Sequence, residues 1–319
     1  MKLTTKAVLS GLATYIPGYR YMRPTGGTGS ARYCYSVWLR HLILANKYHP
    51  ETGIPATVAE LGPGDSIGIG LAALLTGVER YDSLDIVRYS NPTSNLSVFD
   101  KLLSMFENRE AIPGEDEFPL MNPKLDSYEF PFHLIDEKSL GEALEPARVA
   151  NIRSSIKEPN GKNARIRYHA PWTDSSLIQK ESVDMMYSQA VLEHVDDLAL
   201  VNRAMRQWVK PTAVMTHQID YGCHGKADTW NGYWTYSDLI WKVIVGRRPY
   251  LLNRVPHSVH KRYLHEQGFD IIGEQVVSTE STLRRGQLAR RFRGLSDQDL
   301  TTSGAFLVAT VSDPDCGNR

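Results

Sequence analysis

The sequence is poor in cysteine, in long apolar runs and in net charge, and each shortage excludes a class of protein. Its 319 residues include three cysteines, Cys34, Cys223 and Cys316, which are scattered and form no CxxC pair. This pattern argues against a disulfide scaffold and against a structural zinc site. A reducing compartment suits such a chain, and we expect a cytoplasmic protein.

No segment has the length and apolar character of a membrane span. The longest mostly apolar stretch, residues 67–78, is too short and too rich in glycine. The N-terminal segment lacks the sustained apolar region of a signal peptide, so we expect none. Lys plus Arg and Asp plus Glu both number 36. This balance predicts no general attraction to nucleic acid or to an anionic membrane.

The order of predicted elements is that of an α/β protein. Residues 30–48 have apolar side chains at helical spacing and predict a helix that packs in the core or covers a pocket. A strand, ATVAELG, a glycine-rich turn, a helix closed by Gly77 and a second strand ending at Asp85 then form a βαβ unit.

The remaining chain continues this alternation after an interruption. Residues from about 90 to 162 are rich in proline and charge and predict a mostly helical insertion. Three strands, ARIRYHA, SVDMMYSQAV and TAVMTHQIDY, a helix, DDLALVNRAMRQWV, and a terminal antiparallel pair follow. We expect an N-terminal helical lid over residues 1–54 and one domain over 55–319, with an aromatic and basic cap at about 222–268.

The glycine-rich turn predicts a nucleotide-type ligand that is not a dinucleotide. Gly62 and Gly64 lie where a strand turns into a helix, and they allow a tight turn and close backbone approach. The dinucleotide fingerprint requires glycine where Ile67 stands. A diphosphate at the helix N-terminus also gains nothing from nearby acids such as Glu60 and Asp65. A cationic ligand suits these carboxylates better.

Two segments resemble class I S-adenosylmethionine-dependent methyltransferases. In ELGPGDS, residues Glu60, Gly62 and Gly64 match the family's E-x-G-x-G-x-G motif, and Ser66 replaces its last glycine. VDMMYSQAVLEHV is similar to the family's fourth strand and the turn after it. Its matching residues are Asp184, Ser188, Val191, Leu192, Glu193, His194 and Val195. With HQID and WNGYW, the chain is similar to a bacterial branch of this family.

The resemblance implies a doubly wound, Rossmann-like sheet of seven mostly parallel strands with a terminal antiparallel strand. It also implies S-adenosylmethionine as cofactor and S-adenosylhomocysteine as product. The family often places an aspartate against adenine where His169 stands here, so backbone or a stacked ring is expected to make that contact. The implied cofactor residues are Glu60, Gly62, Pro63, Gly64, Asp65, Ser66, Asp85, Ile86, His169, Ala170, Pro171, Trp172, Ser188, Gln189 and Ala190.

Methyl transfer is an in-line displacement that needs an aligned nucleophile and, for a hydroxyl, a base. The strand TAVMTHQIDY delivers His217, Asp220 and then His224 to the sheet edge where ligands bind, and His194 follows the preceding strand. We rank the bases His224, His194, His217, with Asp220 as orienter or base. His194 could instead pack the helix start. The related metal-binding pattern E-x-x-E-H has Ala190 in place of its first glutamate, so we expect no metal.

The acceptor pocket is expected in aromatic segments far along the chain. Tyr33, Trp230, Asn231, Tyr233, Trp234 and Arg254 are the candidate substrate residues. The same aromatic segment could equally be a hydrophobic cap against the sheet. Five arginines between residues 284 and 293 could hold an anion or simply form a solvated face.

The predicted reaction is O-methylation of a small-molecule or saccharide hydroxyl with a His/Asp base. The alternatives are N-methylation of a small amine, RNA or protein methylation through the arginine-rich segment, and a non-catalytic adenosylmethionine-binding protein. We expect no membrane span and no nucleic-acid partner. A homodimer is one option that the sequence leaves open.

Overall fold

The fold is built on one seven-stranded sheet, seen in a computed structural model that describes residues 3–18, 27–172, 174–248 and 250–313. The strands are β1 (Thr57–Leu61), β2 (Arg80–Leu84), β3 (Ile166–His169), β4 (Val183–Gln189), β5 (Val209–Asp220), β6 (Phe269–Ser278) and β7 (Thr302–Val311). Their order is β3-β2-β1-β4-β5-β7-β6. Strands β1 to β5 pair in parallel, and β7 runs antiparallel between β5 and β6. The predicted α/β, mostly parallel sheet is confirmed.

Ten α-helices accompany the sheet within the described ranges. They are α1 (Leu3–Ala13), α2 (Ala31–Tyr48), α3 (Gly68–Leu75), α4 (Pro92–Glu107), α5 (Glu137–Ala143), α6 (Pro146–Lys157), α7 (Leu198–Trp208), α8 (Asp238–Val245), α9 (His257–Glu266) and α10 (Asp297–Thr301). Helices α2 to α6 cover one face of the sheet, and α7 and α9 cover the other. Of the helices described, none combines the length and apolarity that crossing a bilayer requires.

Alternation along the central strands divides the core between these two faces. In β1, Val58 packs with α2 and α3, whereas Ala59 and Leu61 pack towards α7 and α9. In β4, Tyr187 lies on the first face and Met186 on the second. Successive side chains of a strand point to opposite faces, so each buried strand supplies both cores.

Helix α2 is part of the core and not a lid over it. It begins after Ser30, whose side chain accepts the Tyr33 amide, and thirteen of its eighteen residues are buried. Trp38 is fully buried, and its Nε1 donates to Thr76 Oγ1 at 3.0 Å. The predicted lid is therefore wrong for α2, because its apolar stripe packs against the sheet. Residues 1–2 and 19–26 of the predicted lid lie outside the described residues.

The segment predicted as an insertion is the connection between β2 and β3. It contains α4, α5 and α6, and irregular chain between α4 and α5. Phe99, Leu102 and Phe106 of α4 are fully buried in the main core. The helical content is as expected, but these side chains make the connection an integral layer of the fold, not a decoration.

A third, smaller core lies beside the sheet and joins the N-terminus to the C-terminal third of the chain. It contains Trp234, Ile244 and Phe292, with Ala7 from α1. Helices α1 and α8 approach very closely, because a Cβ at Gly11 would lie 2.0 Å from the Val243 carbonyl oxygen. Glycine at this position is what allows α1 to pack on α8.

The two described cysteines, Cys34 and Cys223, are free and buried. Cys316 lies outside the described residues. The buried thiols pack as small apolar groups.

Replacing Gly70 by alanine should destabilise the protein. A Cβ at Gly70 in α3 would lie 2.1 Å from the ring of Tyr81, which is fully buried and has no space to move into. We expect a loss of about 1–3 kcal/mol in the free energy of unfolding, measured by denaturant titration. Gly141→Ala in α5 is the matched control, since nothing lies within 4 Å of its Cβ. Equal stability of the two variants would contradict this packing.

Candidate active site

The candidate site lies where the parallel strands β1, β2, β4 and β5 end at one edge of the sheet. Strand residues are buried, but those that follow become partly exposed, as at Gly62, Ile86, Ala190 and Asp220. Ligands of open α/β sheets bind beyond this edge. The ends of these strands therefore place Gly62, Ile86, Ala190 and Asp220 along one edge.

The turn after β1 requires glycine for two separate reasons. Gly62 has φ +66° and Gly64 has φ +74°, a region that favours glycine. A Cβ at Gly62 would also lie 2.6 Å from Cγ2 of Val191, just after β4. The Gly62 amide donates to the Leu84 carbonyl at 2.8 Å. The turn is thus tied to the ends of both neighbouring strands.

Protein groups accept hydrogen bonds from the two amides that precede α3 and from the first amide of the helix. The Ser66 amide donates to Thr28 Oγ1 at 3.1 Å, and the Ile67 amide donates to Asn95 Oδ1 at 3.2 Å. The Gly68 amide donates to Ser66 Oγ at 3.1 Å. Ser66 is buried, and its hydroxyl also donates to the Thr28 carbonyl, so its side chain stabilises the turn. The side chain therefore does not support the predicted cofactor contact. Thr28 and Asn95 carried no sequence signal.

Asp85 is held rigidly at the end of β2. Its Oδ1 accepts the Ile86 amide at 2.7 Å. Its backbone amide donates to the His169 carbonyl at 3.0 Å, and its carbonyl accepts the Trp172 amide at 2.9 Å. The loop from His169 through Ala170 and Pro171 to Trp172 therefore brackets Asp85, as the predicted site requires. Asp85 is 6% exposed at this edge.

Glu60 lies beneath the turn, not in the cleft. It is 1% exposed, and its carboxylate accepts a hydrogen bond from the Tyr81 hydroxyl. Burial raises the pKa of Glu60 to about 8, against which the Tyr81 hydrogen bond acts. Glu60 is therefore mostly neutral near pH 7. Strand alternation points this side chain towards the core under α3, so its position does not support the predicted contact with the cofactor.

The side chains of Ser188 and Gln189 are engaged inside the protein. Ser188 is fully buried, and its Oγ hydrogen-bonds Nδ1 of His217 at 2.8 Å. Gln189 hydrogen-bonds Nε2 of His41 at 2.9 Å and donates to the Asn122 carbonyl at 3.2 Å. Neither side chain is placed to hold a cofactor as predicted. Ala190, with φ +54°, leaves its backbone at the edge.

His217 is not placed to act as a base. It lies inside β5, fully buried, and burial together with the charge of His41 lowers its pKa to about 3. It is neutral at ordinary pH and has no access to the sheet edge. The prediction fails because His217 comes three residues before the strand ends, on its inward face.

His224, Asp220 and His194, in contrast, form one cluster. His224 Nε2 lies 3.0 Å from Asp220 Oδ2, and the rings of His194 and His224 are 5.4 Å apart between centroids. His194 Nδ1 hydrogen-bonds the Tyr250 carbonyl at 3.0 Å. His224 is 37% exposed, so its ring can meet a ligand. The first- and second-ranked bases and the predicted orienter are therefore brought together.

The surroundings of the cluster shift the pKa values of two of its members, Asp220 and His194. Burial alone would raise the pKa of Asp220, but hydrogen bonds from His224 and from the Gly222 amide outweigh it and lower that pKa. Burial and the neighbouring His224 lower the pKa of His194. Near pH 7 Asp220 is thus a carboxylate and His194 a neutral imidazole, and the carboxylate lies against the His224 ring.

Glu193, which precedes His194 in the chain, is buried next to this cluster and hydrogen-bonds the Asp220 backbone. It is 3% exposed, its Oε1 accepts the Asp220 amide at 3.3 Å, and burial raises its pKa well above the ordinary value. Among the described residues, no group of three or more His, Cys, Asp and Glu side chains could hold a metal ion.

Most of the aromatic segment is structural. Asn231 is fully buried and donates to the Leu300 carbonyl at 3.1 Å. Tyr233 donates to the Tyr221 carbonyl at 2.9 Å, and Trp234 donates to the Arg254 carbonyl at 3.1 Å. The predicted substrate roles of Asn231, Tyr233 and Trp234 are wrong, because their polar atoms are used within the third core.

Arg254 is also a core residue. It is 2% exposed, donates to the Tyr236 carbonyl at 2.7 Å and pairs with Asp238 at 2.7 Å. Its guanidinium is therefore engaged within the protein, although Arg254 also lines a cleft beside Tyr250, so its predicted substrate role stays a prediction. In the arginine-rich segment, Arg285 pairs with Asp297 at 2.6 Å and Arg291 pairs with Asp238 at 2.9 Å. Ion pairs within the protein therefore neutralise part of the positive charge of this segment.

Two of the predicted substrate residues are only partly buried. Tyr33 packs edge-on against Phe118 at 5.9 Å, and burial raises its pKa to about 12, with Cys34 adding to the rise and a hydrogen bond to Gln189 opposing it. Trp230 donates to the Glu280 carbonyl at 3.1 Å. Tyr33 is thus near the end of β4, whereas Trp230 lies with the third core.

A cleft of about 490 Å³ lies between α8 and residues 250–255. Asp196, Trp241, Lys242, Tyr250 and Asn253 are among its lining residues. The Tyr250 carbonyl holds His194, and the Asn253 amide donates to the Glu193 carbonyl at 2.8 Å. One wall of the cleft is therefore the same chain that positions His194. Tyr250 and Asn253 belong to no motif, so no sequence pattern points to them.

No protein-family model matches this sequence, and no curated protein sequence matches it. Among solved structures, it is similar to an S-adenosylmethionine-dependent methyltransferase from Mesorhizobium loti, with a TM-score of 0.42 and 13% identity over 85% of this chain and 97% of that chain. It is also similar to an S-adenosylmethionine-dependent methyltransferase from Methanosarcina mazei, with a TM-score of 0.42 and 12% identity over 80% of this chain and 92% of that chain. For phosphoethanolamine N-methyltransferase 2 of Haemonchus contortus, the TM-score is 0.41 and the identity 14% over 88% of this chain and 57% of that chain. Likenesses this distant carry no argument about activity.

Replacing His217 should weaken the response of stability to acid. His217 has a pKa of about 3 in the fold against an ordinary value of 6.5, so its contribution to stability is complete above pH 6.5 and is lost as the pH falls towards 3. Between about pH 7 and about pH 5, the free energy of unfolding of His217→Gln should therefore fall by about 1–2 kcal/mol less than that of the wild type. Urea unfolding at both pH values measures this.

The raised pKa values of Glu60 and Glu193 make stability change with pH in the opposite direction. The pH dependence of the variant is therefore compared with that of the wild type. His133→Gln, at an exposed histidine, is the control and should leave the pH dependence unchanged. An unchanged pH dependence in His217→Gln would show that His217 can be charged in the folded protein.

Proposed function

We propose that the protein is an S-adenosylmethionine-dependent methyltransferase that transfers a methyl group to a hydroxyl of a small molecule or saccharide. One observation carries the proposal: the Gly62–Gly64 turn and Asp85 are joined at the end of two adjacent parallel strands, where a nucleoside would lie between them. The Gly62 amide reaches the carbonyl of Leu84, the residue before Asp85, at 2.8 Å.

The residues at this edge fit the cofactor. Glycine at position 62 leaves room that a Cβ would fill, so backbone can approach a ligand closely. A carboxylate has about four acceptor sites, so Asp85 can accept ribose hydroxyls while holding its own turn. The loop from His169 to Trp172 lies beside Asp85 and offers backbone and the Trp172 ring to a base. The bound cofactor would supply a methyl group on a sulfonium.

A diphosphate-containing cofactor fits this edge less well. Such ligands use free amides at the helix N-terminus. Here the amides of Ser66, Ile67 and Gly68 already donate to Thr28, Asn95 and Ser66. The structure of this chain therefore adds a second argument to the glycine spacing, and both favour adenosylmethionine.

The base for the acceptor hydroxyl is His224, with Asp220 as its partner. Asp220 at 3.0 Å orients the ring and stabilises the imidazolium that forms when the proton is taken. His194 lies next to His224 and is fixed by the Tyr250 carbonyl. We place His194 as a wall of the acceptor site that keeps the His224 ring in position.

The cleft beside Tyr250 is the proposed acceptor site. Its volume of about 490 Å³ suits a small molecule or a sugar residue. Asp196 and Asn253 offer hydrogen bonds to hydroxyls, and Trp241 offers an apolar face. This cleft replaces the predicted pocket of Trp230, Tyr233 and Trp234.

Asp85→Asn should weaken the binding of adenosylhomocysteine. The loss of charged hydrogen bonds to ribose predicts an increase in Kd of about 10- to 100-fold, measured by calorimetry. Asp270→Asn, at an exposed position of β6, is the matched control and should bind like the wild type. No binding to the wild-type protein would refute the cofactor assignment.

His224→Ala should lower kcat by about 10²- to 10⁴-fold, because a positioned base contributes this much to proton removal. The acceptor is first identified with labelled cofactor and a panel of sugars, alcohols and amines. Asp220→Asn should lower kcat less and shift the pH profile, and His265→Ala on the exposed face of α9 is the control. Full turnover in both His224→Ala and His194→Ala would exclude a histidine base.

A further inference from the structure

The exposed apolar side chains of the described residues are unevenly distributed. Six of the large ones lie on α1, on the turn after it and on α8. These residues, Leu9, Leu12, Tyr15, Ile16, Leu239 and Ile240, are here called the α1–α8 face. Leu239 is 75% exposed and Ile16 is 62% exposed. Exposed apolar residues concentrated in this way mark an interaction surface.

The two helices are held side by side by their other faces. Gly11 of α1 contacts the backbone of α8, and Thr14 Oγ1 accepts the Arg247 amide at 2.9 Å. Ala7 and Gly11 are buried, whereas Leu9 and Leu12 are exposed on the opposite side of α1. Helix α1 is therefore already fixed to the protein on one side and directs Leu9 and Leu12 outwards on the other.

The exposed charges on these two helices are mostly positive. Lys6, Lys242 and Arg247 are exposed on the same two helices or immediately after them. Residues 3–18 and 238–248 contain one carboxylate, Asp238, and Arg254 and Arg291 both pair with it. The surface thus combines apolar side chains with unopposed cations.

Basic residues outnumber acidic ones in the first part of the sequence, although the net charge of the whole chain is zero. The first acidic residue of the sequence is Glu51, and the residues before it include seven lysines and arginines. Three of these, Arg32, Arg40 and Lys47, are engaged elsewhere in the protein. Of the other four, Lys6 lies on α1.

We propose that the α1–α8 face docks on an anionic phospholipid bilayer. Apolar side chains inserted at the headgroup boundary, flanked by lysine and arginine, are the features of a helix lying in the membrane surface. A second copy of the chain fits less well, since a two-fold interface through this face would set Lys6, Lys242 and Arg247 against their own copies. Anionic headgroups instead neutralise all three.

The test is co-sedimentation of the full chain with vesicles of phosphatidylcholine alone and of phosphatidylcholine with phosphatidylglycerol. We expect binding to the anionic vesicles at about 50 mM NaCl and much less at about 500 mM, because salt screens the headgroup attraction. Leu12→Glu/Leu239→Glu should reduce the bound fraction at least about tenfold. Leu200→Glu on α7, with 49% exposure like Leu12, is the matched control and should bind like the wild type.

Circular dichroism and thermal unfolding of each variant check that the fold is kept, and Leu239→Glu alone serves if the double variant is unstable. Absence of binding to anionic vesicles would overturn the proposal. So would equal binding of the Leu12→Glu/Leu239→Glu variant and the wild type, or a dimer in light scattering that these substitutions abolish. The readout involves no methyl transfer, so its failure is independent of the proposed function.

Discussion

The candidate site depends on the contact between Gly62, Leu84 and Val191. The Gly62 amide bonds the end of β2, and its missing side chain admits Val191 from the turn after β4. Three strand ends are therefore fixed relative to one another by a single residue. Asp85 follows Leu84 directly, and His194 lies three residues beyond Val191. We therefore expect this junction to set the distance between the proposed cofactor site and the proposed base.

Beneath that junction, the protein keeps its buried polar groups neutral. The pKa of Glu60 is raised to about 8 and that of His217 is lowered to about 3, in both cases chiefly by burial. Both side chains are hydrogen-bonded to neighbours, Tyr81 and Ser188. A neutral pair costs far less to bury than an isolated charge, so the polar residues under the site support it without unpaired charges.

Strand and helix positions were predictable because hydrophobic periodicity reflects local geometry. The βαβ unit around Gly62, the strand ending at Asp85 and the helix at residues 30–48 all occur as expected. The errors concern what each element contacts. The helix predicted as a lid is core, and the aromatic residues predicted as a pocket fill a third core with α1. The same apolar residues suit a pocket or a core, and only the packing partners distinguish the two.

The sequence alone determined the sheet type, the turn and the acid that follows β2, since glycine spacing and strand periodicity are local properties. Tertiary structure decided which candidates face the ligand edge. His217 and His224 are both histidines near the end of β5, but only His224 lies beyond it, within 3.0 Å of Asp220. Likewise, the net charge of zero concealed a positive, apolar face, because charge acts through its position on the surface and not through its sum.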